Sequence, residues 1–199
     1  MDNSAPLEII AGPIEVWLGP VGEAFPDIGE VPAGNWVKVG TNGDKNITED
    51  GVSVSHPQTL EVFRSLGSTG PVKAFRTEED LIISFTLADL TLEQYKFVLN
   101  GGAVTDVPAA AGVGGYRKLP LLRGLDVTQY AMLARGLSPY MATGKADYQV
   151  PRVVHQGEPE AVFVKGTPAG LLFEMRAIED PDFAGGRFGQ VLAQDAAAA

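Results

Sequence analysis

The 199-residue chain predicts a mainly β fold carrying one short helix. Three observations predict it. Glycine (24 residues) and proline (14) are scattered along the whole length, so the chain turns often, which favours short strands over long helices. Several short runs alternate apolar and polar residues, the period of a half-buried strand. Helical spacing stands out once, near residues 91–100, in a run too short to persist without a sheet to pack on. At about one domain per ~150 residues, the length fits one domain with appended arms.

Residues 1–13 read as an N-terminal arm ending at Gly12-Pro13. "IEVWLG" then alternates, with Ile14, Val16 and Leu18 on one face and Glu15 and Trp17 on the other. "PVGEAFPDIGEVPAG" is a turn-rich loop with three prolines, and "NWVKVG" a second short strand. "TNGDKNITEDG" reads as a polar turn region, signalled by Asn42-Gly43. "VSVS" alternates again, Pro57 interrupts, and Leu60 to Phe63 read as extended. Ser65 to Pro71 is a loop, so His56 to Pro71 forms a long excursion of the kind that carries function in compact domains.

The densest stretch is "RTEEDLIISFTLADLTLEQYKFVLNGG", Arg76 to Gly102. Its three acids, Glu78, Glu79 and Asp80, read as a solvated turn. In the strand that follows, Leu81, Ile83, Phe85 and Leu87 share one face. Thr91 with Gln94 three residues on reads as a capping box. Leu92, Tyr95, Val98 and Leu99 share the helix side expected to pack on a sheet, and Asn100-Gly101-Gly102 ends the helix. After a small, flexible Ala/Gly-rich insert at 103–115, "LDVTQYAMLARG" (Leu125 to Gly136) reads as a strand with a buried second half. "YQVPRVVHQGEPEAVFVKGTPAGLLFEMRAIEDP" reads as three strands, with turns at Gly157 to Pro159 and Gly166 to Pro168. In the last of them Leu171, Phe173, Met175 and Ala177 face one way. Residues 185–199 read as a C-terminal arm.

Composition narrows the chemistry. Without cysteine there is no disulfide, thiolate metal site or Cys nucleophile. No apolar run approaches the ~20 residues of a membrane span, and the N-terminus lacks the pattern of a signal peptide, so no membrane partner is expected. The net charge is −10, and residues 1–100 hold nearly all of it, with 15 acids against 6 bases. That balance disfavours phosphate-neutralising nucleic-acid binding. His56 and His155 stand isolated, no G-x-S-x-G elbow is present, and "GVGGYRK" (Gly112 to Lys118) fits no phosphate cradle. Asp44, Asn46, Thr48 and Asp50 loosely match a calcium loop, but the glycine and terminal acid of that motif are missing. Asn46-Ile47-Thr48 fits a glycosylation sequon. No cofactor, metal or catalytic residue is expected.

The order of elements resembles a known family, the major tail tube proteins of long-tailed bacteriophages. Four pieces carry the resemblance, in order, between Ile14 and Gln194: "IEVWLGPVGEAFPDIGEVPAGNWVKVG", "RTEEDLIISFTLADLTLEQYKFVLN", "YAMLARGLSP" and "VPRVVHQGEPEAVFVKGTPAGLLFEMRAIEDP". None is a strong motif singly. The insert at 103–115 departs from the pattern.

The resemblance implies a β-sandwich or rolled β-barrel with one flanking helix (about 91–100), a tail-tube β domain over residues 14–184, and a structural role without enzymatic activity. Six copies would close into a ring, and rings would stack into a tube around a tape-measure protein. Terminator and baseplate or distal tail proteins would meet its ends, and DNA would pass through without binding. The tail of the virion, assembled in the host cytoplasm, is the implied location. Tubes of type VI secretion or bacteriocin-like contractile systems are the alternative on the same fold. The stacking excursion would then comprise His56, Pro57, Leu60, Phe63 and Ser65, continuing through Leu66, Gly67, Ser68, Thr69, Gly70 and Pro71. Glu61, Glu78, Glu79 and Asp80 are the candidates for an acidic lumen that repels phosphate.

Overall fold

The computed structural model describes residues 10, 12–40, 45–100, 102–166 and 168–197. Most of the N-terminal arm, the Asn42-Gly43 turn, Asp44 and Gly101 therefore lie outside the described residues. The protein is mainly β with one helix, as the sequence predicts. The strands are β1 (Glu15–Pro20), β2 (Val37–Lys38), β3 (Ile47–Ser55), β4 (Gln58–Phe63), β5 (Lys73–Glu79) and β6 (Ile82–Leu87). Helix α1 (Leu92–Val98) follows, then β7 (Thr105–Val107), β8 (Tyr116–Lys118), β9 (Gln129–Leu137), β10 (Lys145–His155), β11 (Leu171–Ala177) and β12 (Gln190–Ala193). One antiparallel sheet runs β2-β1-β9-β10-β11-β6-β3, with β12 also on β10; β4-β5 and β7-β8 form separate two-stranded ribbons.

The sheet buries one face because alternate residues are apolar. Val16 and Leu18, Ile83, Phe85 and Leu87, Met132 and Ala134, and Leu171, Phe173 and Met175 meet in one core with Phe97, Val98 and Leu99 of the helix segment. Phe85 and Phe173 are direct cross-strand partners and stack at 4.9 Å. Such a pair adds about 0.5–1.5 kcal/mol beyond its burial.

The other face is buried only locally. Trp17, Trp36, Ala131 and Leu133 cluster there with Phe25, beneath the turn-rich loop 21–36. Gly19 lets Trp36 lie flat on β1, since a Cβ there would stand 3.1 Å from the indole. Arg135 and Asp147, side chains 7% and 0% exposed, pair bidentately at 2.5 and 2.6 Å in the same layer. The remaining guanidinium donors reach the carbonyls of Asp27 and Glu30, which fastens the loop down. This explains why β9 and much of β1 are buried on both sides, whereas β6 and β11 alternate.

Pro151 shapes the centre of the sheet. It has no N–H to give the ladder, and the β9–β10 register shifts between Val150 and Val153. On the far edge, β10 pairs with β12 over Ala146–Gln149 and with β11 over Val153–His155. One long strand thus serves two neighbours in succession.

Several expectations are corrected. Residues 190–193, expected within a free C-terminal arm, are β12. Gly189 makes its approach possible: φ is +121°, and a Cβ would stand 2.2 Å from the Gln149 carbonyl oxygen. The polar stretch from Ile47 to Gly51 is strand rather than turn. The middle strand expected between Gly157 and Gly166 does not form beyond an isolated bridge at Val164, and Val162, Phe163 and Val164 stay exposed. The capping box is absent: Thr91 makes no side-chain cap, and Gln94 is buried rather than reaching back. Asp89 accepts from the Thr91 N–H at 2.9 Å instead. The helix closes on Asn100, whose φ of 69° takes the left-handed position expected of glycine. Val98 and Leu99 are buried as expected and Leu92 and Tyr95 only partly, while Phe97, outside the expected set, is buried.

Candidate assembly surfaces

The excursion after β3 is larger and more regular than a loop. Beyond Ser55, opposite Ile82, the chain continues through His56 and Pro57 into β4, turns, and returns along β5. The ladder runs from Gln58 opposite Glu79 to Phe63 opposite Lys73, with a bulge between Thr59 and Leu60. Ser65 to Pro71 form its turn, closed by the Ser68 N–H on the Ser65 carbonyl at 3.1 Å and the Val72 N–H on the Phe63 carbonyl at 2.8 Å. Every residue of β4 and β5 is exposed. Alternation puts Leu60 and Val62 on one side of this arm and Phe63 and Phe75 on the other, with Leu66 fully exposed in the turn. An isolated two-stranded ribbon is marginal in water, and contiguous exposed apolar surface marks an interaction site.

The four acidic candidates belong to this arm. Glu61 stands opposite Phe75. Glu78 accepts from the Thr59 hydroxyl at 3.1 Å, and Glu79 pairs with Arg76 at 3.0 Å. Glu78 and Glu79 are therefore strand residues, not the solvated turn the sequence suggests. Asp80 lies at the root, 3.7 Å from Arg176. The return strand "KAFRTEE" was missed; its signal was the pairing of Phe75 and Lys73 with the already extended Glu61 and Phe63.

The insert at 103–115 is the near half of a second ribbon, β7-β8, capped by a bridge between Ala110 and Val113. Arg117 ties this ribbon to the helix, reaching Glu93 at 2.6 Å and Asp106 at 2.8 Å. A third surface is the segment 119–128, where Leu121, Leu122 and Leu125 are exposed. Asn100 holds it, accepting from the Thr128 N–H and donating to the carbonyls of Arg123 and Asp126. Arg123 in turn donates to the Val98 carbonyl at 2.8 Å and lies 3.3 Å from Nδ1 of His155.

A fourth feature is a groove of about 390 Å³ between the β1–β2 edge and β3. Val16, Val39, Ile47 and Val52 floor it, and Glu15, Lys38, Glu49 and Asp50 rim it. Among the described residues β3 pairs only with β6 and β2 only with β1, so the sheet curls without hydrogen-bonded closure.

The two histidines are not brought into a catalytic set. His56 is exposed at the arm's root. His155 is half-buried, with Nε2 3.3 Å from the Leu172 carbonyl. Burial pushes its pKa below the ordinary value, opposed by that hydrogen bond and by Glu174, and reinforced by Arg123. Among the described residues no group of three or more His, Asp or Glu side chains is placed to hold a metal. Asn46 is buried, which places the sequon out of reach of a glycan in the folded chain. No described helix is long and apolar enough to cross a membrane. No protein-family model matches the chain, and no curated protein matches it.

Proposed function

We propose that the chain is a structural, non-enzymatic subunit that assembles with copies of itself into stacked rings, six to a ring, forming a tail tube of the kind built by long-tailed bacteriophages. One observation carries the reading: an ordered two-stranded arm, with apolar residues on both faces, whose strands are exposed throughout among the described residues. A surface of this kind is satisfied only by another molecule. The outer edges of β2 and β3, which pair with no further strand among the described residues, support it, since a head-to-tail ring uses each open edge once. The charge of −10 supports it as well: six copies carry −60 per ring, a field in which DNA slides rather than sticks. In this reading the lumen holds a tape-measure protein before DNA passes, terminator and baseplate or distal tail proteins cap the ends, and the subunit belongs to the virion tail after assembly in host cytoplasm.

The test is direct. Purified protein is concentrated and viewed by negative-stain electron microscopy alongside sedimentation velocity. Rings or tubes of uniform diameter are expected. A single monomeric boundary at every concentration up to the millimolar range overturns the proposal.

A further inference from the structure

The geometry points to the receptor for the arm: the groove between β1–β2 and β3 of a second copy of this chain, which takes Leu66 as a knob with Arg64 and Lys73 as flanking cations. This rests on the reading that copies of the chain assemble, and it adds where they touch.

The argument begins with unpaired charge. Within the groove, Lys38 and Glu15 neutralise each other at 2.5 Å. Glu49 and Asp50 are left on the rim, both exposed and neither meeting a cation among the described residues. They stand proud because the β3–β6 register shifts between Ile47 and Val52. The arm tip has the opposite balance. Among the described residues Arg64 donates to the Thr69 carbonyl, at 3.2 Å, and Lys73 lies over the Phe75 ring, at 4.9 Å. Neither meets a carboxylate among the described residues, and the two flank the turn from opposite strands. Two unpaired acids and two unpaired bases thus frame complementary apolar shapes, one concave and one convex.

Shape and reach agree. The volume lies in the ~300–1,000 Å³ range that encloses a ligand-sized group, enough for the apolar tip and not for the whole ribbon. The groove flanks the start of β3, whereas the arm leaves from its end and is exposed throughout. The arm therefore does not occupy its own groove, and the contact is heterologous: arm of one copy, groove of the next. Passed from copy to copy it propagates, whereas two copies exchanging arms would stop at a dimer, which sedimentation distinguishes and which would overturn the ring reading.

The experiment exchanges the charges. Variants Glu49→Lys with Asp50→Lys, Arg64→Glu with Lys73→Glu, and all four together are compared with the unaltered protein by sedimentation and negative stain. Each two-residue exchange is expected to raise the concentration needed for assembly about tenfold or more, since it sets like charges face to face. The fourfold variant is expected to return to near the original concentration. All four positions are exposed, so the fold is checked by circular dichroism and expected to be unchanged. Independently, Leu66→Cys with Asp50→Cys in the cysteine-free chain should give a ladder of disulfide-linked multimers under oxidation. If the unaltered protein assembles but the exchanges do nothing, the fourfold variant is not rescued, or no ladder forms, the docking site is wrong while self-assembly stands. If the unaltered protein never assembles, both fall.

Discussion

Excising the arm should abolish the proposed assembly while leaving folding intact. Replacing residues 57–80 by Asn-Gly joins His56 to Leu81 across a two-residue turn, the loop suited to the antiparallel pair already formed by Ser55 and Ile82. None of the removed residues is buried, so the core loses no apolar area. The Asp80–Arg176 contact goes, but both partners are a third or more exposed, and such a pair contributes about 0–1 kcal/mol. Shortening a 24-residue connection to two gains at most about 2 kcal/mol in closure entropy, an upper bound because the ribbon is itself partly ordered. The truncated chain should therefore unfold within about 1 kcal/mol of the full chain, or be slightly more stable. Urea titration followed by tryptophan fluorescence reads this directly, because Trp17 and Trp36 both sit in the outer-face cluster beneath loop 21–36. The same preparation should fail to form rings or tubes at concentrations where the full chain does. A loss above about 2 kcal/mol would mean that the arm packs on its own body, and undiminished assembly would remove the arm from the interface.

Three further outcomes are expected. Asp147→Asn leaves the Arg135 guanidinium buried without its counter-charge, with neutral carbonyl acceptors only, and should cost about 3–5 kcal/mol, whereas Arg135→Met with Asp147→Leu should cost far less; equal losses in urea titrations would contradict this. Phe173→Ala opens a cavity beside Phe85 and should cost about 3–5 kcal/mol in the same assay, while Val162→Ala on the exposed segment should stay within about 0.5 kcal/mol. His155 titrates below its unfolded value of about 6.5, so the unfolded chain binds more protons and stability falls as pH drops from about 6.5 through the folded pKa; His155→Gln should flatten that slope in pH-dependent melts, and an unchanged slope would exclude His155 as its source.

Legibility in the sequence followed how local each signal was. Strands with strict alternation, such as Leu81 to Leu87 and Leu171 to Ala177, were readable because one face carries every apolar residue and the core takes that face. Residues whose role depends on a distant partner were not. "KAFRTEE" lacks strict alternation and becomes a strand only because Leu60 to Phe63 lie alongside it. Gln94 points inward through packing that no capping pattern reveals. Residues 190–193 look like tail and are strand because β11 covers only Val153–His155 on that edge of β10, which leaves Ala146–Gln149 for them to pair with. The excursion was visible in its prolines and glycines, and its return limb was hidden among charges.

The interleaving of Glu61, Lys73 and Arg76 with the arm's apolar residues has a consequence for the lone chain. A ribbon with exposed apolar residues on both faces, and two borders unpaired among the described residues, invites indiscriminate stacking into fibrils. Each intervening charge makes flat, in-register association bury an ion, so these residues act as gatekeepers while the arm is uncovered. Neutralising Glu61 and Arg76 should therefore hasten aggregation of the lone chain without touching the proposed docking contact, which uses Lys73.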